Sequence, residues 1–211
     1  MLSNLKYISS LKLFQSIYQL LVFAFFLLLA LGYVSNPNLT VENGLYENIQ
    51  LFFLVMATFI SILALRNPLN ERHKYLMIGF FLLSLTFLLR EMEFSNESLP
   101  VWFVWAASAD GALYISLFLF IPFIIYSILR FSFVLNLILE FMLTYNFYRF
   151  TFSGLLLILG GVYDREWIFS EHNVFLEEFF ETLAYYIYLI AMYYMLPSKN
   201  YTGISILSKK C

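Results

Sequence analysis

Residues 173–190 read NVFLEEFFETLAYYIYLI, an apolar run that opens on three glutamates, Glu177, Glu178 and Glu181. Behind them, Thr182–Leu196 is an uncharged run of 15 residues. At 1.5 Å per residue that helix covers only about 22 Å of a hydrocarbon layer about 30 Å thick. If this stretch crosses a membrane, it draws Glu181 into the layer. The fold class therefore turns on whether the rest of the chain is a membrane bundle.

Composition answers that question. Of the 211 residues, 62% are hydrophobic and 12% charged, with mean hydropathy +0.79. A soluble domain carries about 25% charged residues. So apolar a chain cannot cover itself with polar surface, which predicts an all-α, polytopic transmembrane helix bundle. Six spans are expected, at about 13–34, 46–65, 75–92, 108–129, 148–163 and 174–195, in a single integral membrane domain over 1–211. The first has an apolar stretch longer than a signal peptide's and is taken as a true span. Cys211 is the sole cysteine, which leaves no disulfide framework or cysteine-based zinc site within one chain.

Residues 131–148, FSFVLNLILEFMLTYNFY, are apolar but hold Asn136, Glu140 and Asn146 between Arg130 and Arg149. Charge decides their role. Lys6, Lys12, Arg66, Arg72, Lys74, Arg130, Arg149, Lys199, Lys209 and Lys210 share one side if this segment does not cross. The expectation is a re-entrant or interfacial segment, with both termini in the cytoplasm by the positive-inside rule. Glu140 then points to the cytoplasmic interface or caps a turn. Twelve of the fourteen acids fall on the other side, against only Arg90 and Arg165. The positive-inside rule places little demand on acids, so it does not account for that cluster.

Helical spacing gathers these acids. Glu177, Glu181, Tyr185 and Tyr188 share a face, as do Glu47, Gln50, Leu54, Thr58 and Ser61. Thr86, Arg90 and Glu93 share a third, Asp110 and Tyr114 a fourth. Turned toward one another, these stripes make an acidic cavity in the extracytoplasmic leaflet. Its expected lining is Glu47, Gln50, Arg90, Glu93, Asp110, Tyr114, Glu177, Glu181 and Tyr185, with His172 at the rim. Asn173 is the expected N-cap of the last helix, which would make Glu177 and Glu178 first-turn acids that complement the helix dipole. Glu181 lies beyond that explanation. Asp110 is open between a capping role and the cavity. His73 belongs to a basic loop. Asn38 and Asn96 lie in glycosylation sequons.

Crowded carboxylates need protons or a counter-cation. Carboxylates with one imidazole suit Mg²⁺, Ca²⁺, Mn²⁺ or ferrous iron, so a divalent cation on Glu47, Glu177, Glu181 and His172 is one expectation. Such an ion activates water against a membrane lipid or lipid-like substrate, as in a metal-assisted membrane hydrolase. The alternative is a non-enzymatic accessory subunit, or a lipid-binding partner, of a larger membrane-protein complex. Nucleic acid is not an expected partner, because the basic groups are few and scattered over loops.

The plan is loosely similar to that of alkaline-ceramidase-like membrane hydrolases, but their HxxxH pair and three zinc-binding histidines are missing from a chain with two histidines. ENGLYENIQ (42–50), LLREMEF (88–94) and LEEFFE (176–181) resemble a Glu-led second helix, an RE motif closing the third and an acidic opening of the last. Uncharacterised bacterial polytopic inner-membrane proteins show those motifs. That resemblance implies a bundle and its topology in the inner (plasma) membrane, not a reaction.

Overall fold

The structure, a computed structural model, describes residues 19–34, 36, 44–92, 104–105, 108–165 and 172–196. Among them seven helices are formed and no strand: α1 (Gln19–Val34), α2 (Leu45–Arg66), α3 (Glu71–Glu91), α4 (Ala109–Leu129), α5 (Phe131–Met142), α6 (Tyr145–Asp164) and α7 (Asn173–Tyr194). Two compact units result, Met1–Leu45 and Tyr46–Cys211. In the first, α1 is apolar but only 16 residues long, about 24 Å. The second carries the helices that build the site.

Three described helices are long and apolar enough to cross a membrane: Leu45–Arg66, Glu71–Glu91 and Asp110–Leu129. The sequence also explains their ends. Asn70 accepts the His73 N–H and starts α3. Ser108 accepts the Gly111 N–H and starts α4. After Arg66, the Asn67-Pro68 pair ends α2.

Side-chain contacts fix the order of helix ends around α7. Ser153 Oγ on α6 donates to the Ala184 carbonyl at 2.9 Å, and the Arg149 guanidinium sits 4.0 Å from the centre of the Tyr194 ring, so α6 runs antiparallel to α7. His73 Nε2 lies 2.8 Å from the Met195 carbonyl, while Arg90 reaches Glu181, so α3 is antiparallel to α7 as well. Tyr46 packs on Phe175, Gln50 meets Glu178 and Thr182, and Phe53 packs on Tyr186, so α2 runs parallel to α7. Stacking of Tyr75 on Phe123 lays α4 against α3 in the opposite sense, helped by the bare Gly79 facing Phe123. Phe80, Phe150 and Tyr188 interlock at the middle, and the Tyr188 hydroxyl meets Ser84 Oγ at 2.8 Å. His73, expected as a loop residue, is instead buried inside the bundle, because α3 starts at Glu71 and carries it inward.

This order sorts charge by end. Arg66, Arg72, Lys74, Arg130 and Arg149 belong to one end of the bundle; Glu47, Glu91, Asp164, Glu177, Glu178 and Glu181 belong to the other. The segment 131–148 is not one piece. Helix α5 stops at Met142, Thr144 accepts the Phe147 N–H to start α6, and the two helices meet at 89°. Taken together, the two helices are long and apolar enough for one broken span or a re-entrant element. Glu140 on α5 pairs with Arg72 at the basic end. Asn38, Asn96, Glu93 and Cys211 lie outside the described residues.

Replacing Tyr188 with Phe keeps the ring and removes a hydroxyl that meets Ser84 and donates to the Phe80 carbonyl. Unfolding in detergent is expected to show a loss of about 1 kcal/mol.

Candidate functional site

Helices α6 and α7 close together at the acidic end because α6 offers a glycine where a larger side chain would block approach. Gly160 on α6 is the tightest point: a Cβ there would stand 2.9 Å from Glu181 Cγ and 3.4 Å from the Glu177 carbonyl. The missing side chain is what lets α6 close over the Glu181 stem. Glu181 is only 6% exposed, and its Oε1 accepts from Arg90 Nη2 at 2.5 Å. The same guanidinium donates through Nε to Glu91 Oε1 at 2.8 Å, and the Tyr185 hydroxyl donates to that oxygen at 2.7 Å. One arginine thus ties α3 to α7 through a buried carboxylate, with a buried tyrosine orienting the second acid.

Beside this network lies a cleft of about 450 Å³. Six carboxylates line it: Glu47, Glu91, Asp164, Glu177, Glu178 and Glu181. Arg90, Arg165 and Gly161 complete the lining. Gln50 stands behind Glu178; its Nε2 donates to Glu178 Oε2 at 2.8 Å, to the Glu178 carbonyl at 3.2 Å and to Thr182 Oγ1 at 3.2 Å.

The structure therefore brings together Glu47, Arg90, Glu177 and Glu181 along the cleft, with Gln50 and Tyr185 in contact with its wall. It separates others. Asp110 is exposed in the first turn of α4, where Ser108 already caps, so it serves the helix dipole. Tyr114 is 61% exposed and also faces away. Glu93 lies outside the described residues. His172 is exposed at the N-cap of α7 and does not line the cleft.

Asn173 is not the cap either. Helix α7 begins with Asn173 as its first helical residue, so its first turn contains no acid. Glu177 and Glu178 sit in the second turn, beyond the exposed amides that would excuse them. The expected metal ligands Glu47, Glu177, Glu181 and His172 are not assembled: among the described residues no three His, Cys, Asp or Glu side chains are placed to hold a metal ion. Glu181 is turned to Arg90, and His172 is held out at the helix start.

Asp164, Arg165, Glu91 and Gly160 were not legible as site residues. The polar residues of α6 at helical spacing, Asn146, Arg149 and Ser153, lie in the half away from the cleft; toward the cleft it contributes the charged pair at its end and a glycine, whose role is an absence of side chain. The acid next to Arg90 in LLREMEF was the available signal for Glu91. No family model matches the chain, and neither a curated protein nor a solved structure matches it.

Gly160→Ala is expected to lower stability by about 1–3 kcal/mol by driving a methyl into Glu181. Gly161→Ala, which meets nothing within 4 Å, is the neutral or stabilising control. Arg90→Met should cost about 2–3 kcal/mol by stranding Glu181, and adding Glu181→Gln should recover part of it. Thermal and denaturant unfolding of the four purified variants reads both effects.

Proposed function

We propose that this chain is a six-span integral membrane protein, with both termini in the cytoplasm, whose acidic cleft binds a cationic ligand at the extracytoplasmic face. The observation that carries the reading is the imbalance of the cleft: six carboxylates face two guanidinium groups in one space of about 450 Å³. Arg90 is committed to Glu91 and Glu181. The rest of the acidic lining favours any ligand that brings positive charge, and the low-dielectric walls strengthen that preference. The space is larger than a bare ion needs, which suits a hydrated cation or the charged head of an organic molecule.

The membrane arrangement draws on the fold. Helices α2, α3, α4, α6 and α7 alternate in direction, with α5 lying across the basic end and α1 supplying a further crossing. Basic residues at one end then face the cytoplasm, and the cleft opens where outer-leaflet headgroups pass. A lipid or lipid-like substrate entering from that leaflet is the ligand class this position favours.

A second reading, an accessory subunit of a larger membrane complex, draws on α4. Among the described residues α4 packs on α3 and its short neighbour α5, and Leu113, Leu117, Phe118, Ile121, Ile125 and Leu129 are open. Lipid covers such a face equally well. A chain that is stable alone in nanodiscs and binds cations there counts against this reading.

Two measurements test the main proposal. In a Cys211→Ser background, a cysteine at His172 should label with an impermeant thiol reagent from outside the cell, and one at Asn70 only after permeabilisation. The opposite pattern inverts the topology. Titration calorimetry of the purified chain should detect Mg²⁺, Ca²⁺ or organic cations. Glu177→Gln combined with Glu178→Gln should weaken that binding about tenfold or more, which is about 1.4 kcal/mol. Binding that ignores both substitutions would falsify the cleft as its location.

A further inference from the structure

At the basic end of the bundle, α4 gives way to α5 across a single residue, Arg130. The change of helix opens a notch of about 400 Å³, lined by residues 128–133. Helix α4 is long and apolar enough to cross a membrane, so its last turn stands where hydrocarbon gives way to headgroups.

Arg130 is the one charged residue of that lining. The ion pairs among the described residues belong to Arg72 and Arg90, so none of their carboxylates meets the Arg130 guanidinium. Other cations at this end are engaged: Arg72 by Glu140, and Arg149 by Asn146 and the Tyr194 ring. Arg130 lies instead 5.5 Å from the centre of the Tyr126 ring, one turn back on α4. That ring steadies the cation beside the notch and leaves its charge unneutralised. Ser132 adds a hydroxyl to the same lining. The remainder is apolar. Leu129 is exposed, and Ile125 and Ile121 continue it along one face of α4 at four-residue spacing.

An unpaired guanidinium and a hydroxyl at the foot of an apolar strip match a phosphate that carries acyl chains. A guanidinium fork suits phosphate oxygens, and the strip suits hydrocarbon. A soluble anion would use only the polar part. A zwitterionic headgroup would bring a cation to an end that already holds Arg66, Arg72, Lys74 and Arg149.

We propose that the α4–α5 notch seats an anionic phospholipid, its phosphate on Arg130 and Ser132 and an acyl chain along Ile121, Ile125 and Leu129. The seat requires α4 to cross a bilayer. It stands whichever end of the bundle faces the cytoplasm, and whether or not the acidic cleft binds a cation.

The test is native mass spectrometry of the full chain in a neutral detergent, titrated with dioleoyl phosphatidylglycerol or dioleoyl phosphatidylcholine. The first phosphatidylglycerol is expected to bind about fivefold more tightly or better, the effect of one basic contact to an anionic lipid. Arg130→Gln should abolish that preference. Ser132→Phe should abolish it too, by filling the notch while keeping the charge. Both positions are exposed, so neither change disturbs the core. Arg66→Gln, at the same end but outside the notch, should keep the preference. Equal binding of the two lipids overturns the proposal, as does a preference that survives Arg130→Gln. A preference lost equally in Arg66→Gln marks diffuse charge in place of a seat and also overturns it. Displacement of phosphatidylglycerol by an equal concentration of inorganic phosphate makes the notch a phosphate site and removes the lipid from it.

Discussion

The bond from Arg90 to Glu181 is the constraint around which the acidic end is arranged. Glu181 is buried at the centre of the helix that touches α2, α3 and α6. An ionised carboxylate there is costly unless a cation meets it. Arg90 can meet it only if α3 runs antiparallel to α7 and ends at the same level. Gly160 must be bare for the Glu181 stem to fit beneath α6. Helix direction, helix spacing and the identity of one glycine all follow from accommodating one charge.

With that pair in place, the neighbouring acids acquire a shared space. Glu91 is held beside Arg90 by the Tyr185 hydroxyl, and Glu178 is held by Gln50. Glu91, Glu178 and Glu181 are each positioned by a neutral or cationic donor from another helix, so this wall of the cleft is a consequence of interhelical hydrogen bonding. Such bonds are worth about 0.6–1.7 kcal/mol each in membrane proteins, and several in one region hold a geometry that none would hold alone. The opposite end is built on the same logic: Arg72 holds Glu140, and buried His73 fastens the start of α3 to the end of α7.

How much of the site was readable depends on how each residue signals. Glu47, Gln50, Arg90, Glu177 and Glu181 recur at helical spacing on apolar helices, and that pattern has a period that can be read. Asp110 and Tyr114 have the same spacing, yet they face away, because α4 packs on α3 through Tyr75, Phe123 and Gly79 and its polar stripe is rotated outward. Asp164 and Arg165 come at a helix end, where spacing carries no direction. The position of Asn173 shows how small the margin is: one residue of difference in where α7 starts moves Glu177 and Glu178 out of reach of the helix dipole.

The sequence by itself determined the helical class, the approximate helix bounds and the segregation of acids from bases, because apolar length and charge placement are local properties of the chain. Only the tertiary structure decided that Glu181 is met by Arg90, that Glu91, Glu178 and Asp164 join the cleft, and that Asp110, Tyr114 and His172 do not. Those choices depend on how each helix is rotated about its axis. Rotation is set by contacts between residues far apart in the chain, such as Gly160 with Glu181 and Gln50 with Thr182, which no local pattern contains.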